Sequence, residues 1–287
     1  MNTTLLVVLA IVLAPIIGGL LSGIDRKITA RVQGRFGPPI LQPFYDVFKL
    51  LGKERFFTNK VQIVYVITYL FFAMLSFVLF VLGQDLIAII FVLTVGGGAV
   101  VMGALSVRSP YSQIGGQREI LQMLAYDPLL LIAVVGMYVV TGSFKVSEIA
   151  AWQMTNATPL LYVLPLVFIV LVEVLTIKMR KSPFDISACH HGHQEIVRGV
   201  HTEFSGPYLA LIEIAHWYEL ILVLGFVGLF FASNLYIAAA LIVAMFILEI
   251  IIDNTTARLT WRWMLKSAWG YGLILSVINI LALQFIK

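Results

Sequence analysis

Cysteine occurs once in these 287 residues, at Cys189. One thiol cannot close a disulfide within the chain, and iron–sulfur clusters typically need four thiolates, so neither such a cluster nor a NiFe centre is held by this chain alone. Charge is scarce as well: Asp, Glu, Lys and Arg make up 12% of the residues, against about a quarter in a soluble domain. A soluble globular fold is thereby excluded. No internal repeat and no low-complexity tract interrupts the sequence, so residues 1–287 read as one domain.

What remains is apolar. Hydrophobic residues make up 60% of the chain and the mean hydropathy is +0.97, which predicts an all-α integral membrane protein. Runs long enough to span the hydrocarbon core, roughly 30 Å thick, occur at Thr3–Ile24, Val61–Leu82, Leu86–Ser106, Leu124–Thr141, Pro159–Lys178, Pro207–Ala232, Leu235–Asp253 and Lys266–Ile286, about eight crossings in all. The first has no basic start and no small-residue cleavage site, so it is expected to be a retained helix and not a secretory signal. Orientation follows from the loops. Seventeen of the nineteen Lys and Arg fall in the segments after the first, third, fifth and seventh runs, leaving Lys145 and Lys287 opposite. That bias marks the cytoplasmic face, with both termini outside and long cytoplasmic loops at about 25–60 and 179–206. The expected location is the cytoplasmic membrane of a bacterium or archaeon. The sequence pI near 9.1 is explained by this topology, so no nucleic-acid partner is inferred.

In the first loop a helix can begin at Pro43, with proline in its first turn. It would set Phe44, Val47, Phe48 and Leu51 on one stripe and Asp46, Lys49 and Lys53 off it, an arrangement suited to the membrane surface.

The informative stretch runs from Glu173 to Glu219 and contains every histidine of the chain. Ionisable groups within a membrane are costly and need a partner, a water path or a task. Glu173 lies well inside the fifth run. Glu213, His216 and Glu219 follow one another at spacings of three, adjacent on a helical surface where protons can pass between neighbours. Asp127 stands before Pro128, which leaves the carbonyl one turn earlier without its amide partner and favours water beside the acid. Glu249 and Asp253 are four apart on one face, within reach of Arg258 or Arg262. Glu119 reads as an interfacial acid neutralised by Arg118. Against this stands the plain alternative that the acids are solvated ends or structural ion pairs. His190, His191 and His193 beside Cys189 invite a metal, but consecutive ligands do not converge readily on one ion and no second cysteine completes a set. No metal site is assigned, and the cluster reads as a proton-accessible loop.

Several motifs carry a family resemblance. Ser182-Pro-Phe-Asp-Ile186, Glu195-Ile-Val197, Thr202-Glu-Phe-Ser-Gly206, Arg31-Val-Gln-Gly-Arg-Phe-Gly-Pro38, Asp46 with Lys49, and Gln122-Met-Leu-Ala-Tyr-Asp127 resemble segments of the complex I membrane subunit called NADH dehydrogenase subunit 1. Where that subunit is rich in glutamate, this chain has Ser187-Ala-Cys-His-His-Gly-His-Gln194, and His216 stands where a glutamate is expected. His-His-x-His-Gln-Glu resembles the corresponding membrane subunit of Ech-type energy-converting NiFe hydrogenases. The resemblance implies a subunit without a redox centre of its own, joining hydrogenase large and small subunits to an antiporter-like membrane subunit. The NiFe centre and iron–sulfur clusters would lie in partners fed by ferredoxin. It implies a subunit junction at Arg31, Arg35, Asp46, Asp185, His190, His191, His193, Glu195 and Glu203. An ion path, for H+ or Na+, is expected at Asp127, Glu173, Glu213, His216, Glu219, Glu249 and Asp253. Three alternatives stay open: a quinone-reducing complex of the complex I type, a stand-alone carrier, whose repeat-related broken helices are not visible here, and a passive anchor.

Overall fold

The computed structural model describes residues 3–156, 158–188 and 198–286; the histidine cluster 190–193 and Glu195 lie outside them. Among the described residues every regular element is helical, apart from one isolated bridge, Asp85 to Lys145. In order the helices are α1 Thr3–Val32, α2 Gln42–Leu51, α3 Val61–Val81, α4 Leu86–Leu105, α5 Pro110–Thr141, α6 Val146–Asn156, α7 Leu160–Val163, α8 Pro165–Lys178, α9 Gly206–Leu229, α10 Leu235–Thr255, α11 Trp261–Lys266 and α12 Leu273–Ile286. A single π-helical turn, Ser267–Gly272, joins the last two. The long helices are apolar on every side, as helices flanked by lipid and by one another must be.

Seven described helices are long and apolar enough to cross a membrane: α1, α3, α4, α5, α9, α10 and the composite Trp261–Leu283. The eighth expected crossing is interrupted. Pro165, which cannot donate to the helix ladder, starts α8 after the short α7. The exposed amides beyond it are taken up by Asn279 of α12, whose Oδ1 accepts from Leu166 at 2.9 Å and Val167 at 3.3 Å. Even so, α7 and α8 run from one end of the bundle to the other. Leu161 N–H bonds the Phe230 carbonyl beyond the end of α9, whereas Lys181, just past α8, reaches Asp25 of α1.

That second end gathers the basic loops. Asn59 bonds the Ser106 carbonyl, Thr58 donates to Glu203, Ser182 N–H donates to Asp253, and Leu259 N–H donates to the Pro183 carbonyl. The loops that sequence placed on the cytoplasmic side are therefore tied to one another. The same end carries α2, which packs Phe44, Val47 and Leu50 against Ala210 and Trp217 of α9. Sequence put Phe44, Val47, Phe48 and Leu51 on a single stripe, with Phe48 and Leu51 beside the two that pack inward. The structure turns Phe48 and Leu51 outward, at 68% and 44% exposure, because Leu50 takes the inward position.

One close approach fixes the loop after α8. A Cβ on Gly115 of α5 would collide with the backbone of Gly199 and Val200, and one on Gly199 would collide with the Ser187 carbonyl. Only glycine lets the short 3-10 turn Gly199–His201 sit on α5. Gly115→Val is expected to destabilise the protein by about 1–3 kcal/mol through overpacking and to displace His201. Thermal unfolding in detergent checks the first; an unchanged midpoint would contradict this account.

Candidate functional site

The end of α8 determines the site. Lys181 N–H bonds the Thr176 carbonyl and Arg180 N–H bonds that of Ile177, a helix stop that ordinarily uses glycine at the left-handed position. Here the position is Arg180, with φ of 53°. An L side chain in this region costs roughly 1–2 kcal/mol, a cost that the contacts of the arginine side chain offset. The turn aims Lys178 and Arg180 into the bundle, where burial leaves the lysine 7% exposed and the arginine 17%.

Two buried acids meet these two cations. Arg180 Nη2 donates to Glu119 Oε1 at 2.9 Å, and Ser187 Oγ donates to Glu119 Oε2 at 2.5 Å. Lys178 Nζ lies 3.4 Å from Glu219 Oε1 and 3.2 Å from Tyr126 Oη. Between the pairs stands His216. Arg180 Nη1 is 2.5 Å from His216 Nε2 and 3.2 Å from His201 Nε2. Tyr69 Oη is 2.7 Å from His216 Nδ1, and Glu219 Oε2 is 3.5 Å from the same nitrogen. A guanidinium only donates, so Nε2 of His216 must accept, which assigns its ring proton to Nδ1, facing Tyr69 and Glu219. The result is an unbroken polar chain: Ser187, Glu119, Arg180, His216, Glu219, Lys178, Tyr126.

Beside the chain lies a cavity of about 660 Å³ between α1, α9, α10 and the segment after α8. More than half of its lining residues are ionisable, Asp25, Arg26, Arg180, Lys181, Glu213 and Asp253 among them. Lys181 crosses its edge to pair with Asp25 at 3.0 Å.

The expected ion-path residues divide among these surroundings. Glu213, His216, Glu219 and Asp253 line the cavity. Asp127 is next in sequence to Tyr126 and accepts from Thr94 at 3.1 Å. Glu249, wholly buried, accepts from Thr176 at 3.3 Å, and Asp253 accepts from Ser182 N–H at 2.9 Å. Glu173 stands apart, beside Gly272 in the π-helical turn, with Oε1 buried and without a hydrogen-bond partner.

Of the expected junction residues, Arg35 and Asp185 line the cavity, Arg31 lies over the Phe36 ring at 5.3 Å, and Glu203 accepts from Thr58 at 3.3 Å. Asp46 accepts from Arg26 at 2.7 Å and from Gln42 at 2.9 Å. Partial burial opposes its charge, yet those two hydrogen bonds hold its carboxyl below the usual carboxylate range. His190, His191, His193 and Glu195 fall outside the described residues.

Sequence reasoning missed the centre of the site. Lys178 and Arg180 counted only as topology-setting cations, and Glu119 as an interfacial acid paired with Arg118. The structure corrects this: Glu119 is buried and paired with Arg180, 61 residues away, because α8 ends beside the first turns of α5. Tyr69 carried no signal in the sequence beyond its polarity, and His201 carried only its place in the histidine-bearing stretch.

Comparison with known proteins gives a consistent result. The H subunit of NADH-quinone oxidoreductase from Dehalococcoides mccartyi strain CBDB1 is 28% identical over 291 residues, covering 91% of this chain and 80% of the relative. The protein of the same name from Geobacillus kaustophilus strain HTA426 is 26% identical over 312 residues, covering 97% and 91%. A solved chain of the membrane-bound sulfane sulfur reductase, an archaeal respiratory membrane complex, superimposes with a TM-score of 0.88 at 27% identity, covering 98% of this chain and 99% of that one. The family profile described as NADH dehydrogenase matches residues 4–284, so this chain of interrupted and continuous membrane helices belongs to the NADH dehydrogenase family.

Proposed function

We propose that this multi-pass plasma-membrane protein is the junction subunit of a complex I-related respiratory complex of the energy-converting NiFe hydrogenase type. In that reading, partner subunits hold the NiFe centre and the iron–sulfur clusters and take electrons from ferredoxin. An antiporter-like subunit adjoins this chain in the membrane. The chain converts the energy of hydrogen chemistry into outward movement of H+ or Na+.

The observation that carries the reading is the charge-balanced chain from Ser187 to Tyr126, set against an ionisable cavity. Two buried cations and two buried carboxylates joined through an imidazole are costly to assemble in a membrane unless the charges do work. His216 is placed to pass a proton from Nδ1 toward Glu219. It becomes able to accept one at Nε2 only when Arg180 withdraws. A shift of the cytoplasmic loop carrying Arg180 would therefore change the proton-accepting state of the membrane interior, which is the coupling a junction requires.

Purification of the native assembly is the test. Recovery of nickel with ferredoxin-dependent hydrogen evolution is the expected result, whereas quinone-linked NADH oxidation would overturn the hydrogenase reading. Within such an assembly, Asp127→Asn and Glu213→Gln are expected to slow or uncouple turnover while subunits still assemble. Normal ion pumping by both variants would remove these residues from the path.

A further inference from the structure

The last part of the chain carries no acid at all: from Asn254 to Lys287 there is not one Asp or Glu. Arg262 and Lys266 lie four residues apart in this segment, on one face of a helix. Each is held over an indole, Arg262 over Trp261 at 5.3 Å and Lys266 over Trp263 at 4.8 Å. Among the described residues neither makes an ion pair. The tryptophans are themselves exposed, Trp263 at 52%, and Trp269 six residues further on is fixed by its indole N–H donating to the Leu124 carbonyl. Tryptophan at a membrane boundary with cations beside it is the composition of a headgroup-level belt. The patch belongs to the basic end of the bundle, since Leu259 just before it bonds Pro183.

The surface continues as an apolar track. Tyr271, Ile274, Ile278 and Leu281 lie at spacings of three and four and are all about half exposed or more. From Lys266 to Leu281 the helix advances roughly 22 Å, about the reach of a lipid acyl chain. A pair of exposed cations followed by an exposed apolar stripe on the same composite helix matches one molecule with both chemistries. We propose that Arg262 and Lys266 bind the phosphate of an anionic phospholipid of the cytoplasmic leaflet, whose acyl chain lies along the Tyr271–Leu281 stripe. A basic juxtamembrane pair gains from anionic headgroups, and a zwitterionic lipid offers no net charge to match it. The site is independent of the coupling function, because it shares no side chain with the buried network.

The test uses the protein in its native assembly, delipidated in detergent. Dioleoyl phosphatidylglycerol, dioleoyl phosphatidylcholine and inorganic phosphate are added back at equal concentration, with native mass spectrometry and thermal unfolding as readouts. Phosphatidylglycerol is expected to remain bound and raise the unfolding midpoint. The double variant Arg262→Gln/Lys266→Gln should weaken retention roughly thirtyfold, from the two surface charges removed. The exchange variant Arg262→Lys/Lys266→Arg, which keeps both charges, should hold the lipid to within a few-fold of the parent and guards against misfolding as the explanation. Equal effects of phosphatidylcholine or inorganic phosphate, or undiminished retention by the double variant, would overturn the proposal. So would loss of a protein subunit from the double variant with its lipid kept, which would make the patch a protein interface.

Discussion

Arg180→Gly is expected to abolish coupled turnover while leaving the end of α8 as it is. Glycine suits the left-handed backbone better than arginine does, so the turn itself gains roughly 1 kcal/mol. The loss lies in the side chain. Without the guanidinium, Glu119 is left buried with only the Ser187 hydroxyl, and removing one partner of a buried pair costs about 3–5 kcal/mol. The variant should therefore unfold earlier. Arg180→Gly/Glu119→Gln removes both charges and should recover much of that stability, since no uncompensated ion remains. Activity should not return, because His216 Nε2 then has no cationic donor to hold or release it. Thermal unfolding separates the variants on the first axis and ion transport coupled to turnover on the second. A double variant that is both stable and fully coupled would reduce Arg180 to a structural bolt.

The sequence made the outline legible because membrane helices announce themselves by length, and basic residues fix the side. Seven helices long and apolar enough to cross a membrane, and the short helix beginning at Pro43, were found this way. The eighth was found as an apolar run, but its break at Pro165 was not read, since a helix in a bundle can tolerate proline when a neighbour such as Asn279 serves the freed amides. The site was half legible. Glu213, His216 and Glu219 share a local spacing that any helix preserves. Glu119 with Arg180 and Tyr69 with His216 are joined across 61 and 147 residues, and no periodicity reports such a meeting. The cations themselves misled: the bias that revealed topology also supplied a sufficient reason for Lys178 and Arg180, which concealed their inward turn.

Lys178 and Glu219 supply the second large effect. Lys178→Met leaves the Glu219 carboxylate to the imidazole of His216, 3.5 Å away, and Glu219→Gln leaves the ammonium beside Tyr126. Each single change is expected to cost about 3–5 kcal/mol, since each strands a charge in an apolar bundle. The double change Lys178→Met/Glu219→Gln should be more stable than either, a coupling of at least about 2 kcal/mol, because the residues are in contact. Stability and function should then part. A structural ion pair is replaceable by a neutral one, whereas a relay needs a group that takes and returns a proton, and glutamine does neither at cellular pH. The stable double variant is therefore expected to assemble but to move no ions. Asp127→Asn tests the next step on the same chain, since Asp127 adjoins Tyr126 and is held by Thr94. Asp127→Asn alone is expected to slow ion transport coupled to turnover while assembly persists, and transport at the parent's rate would place Asp127 off this route.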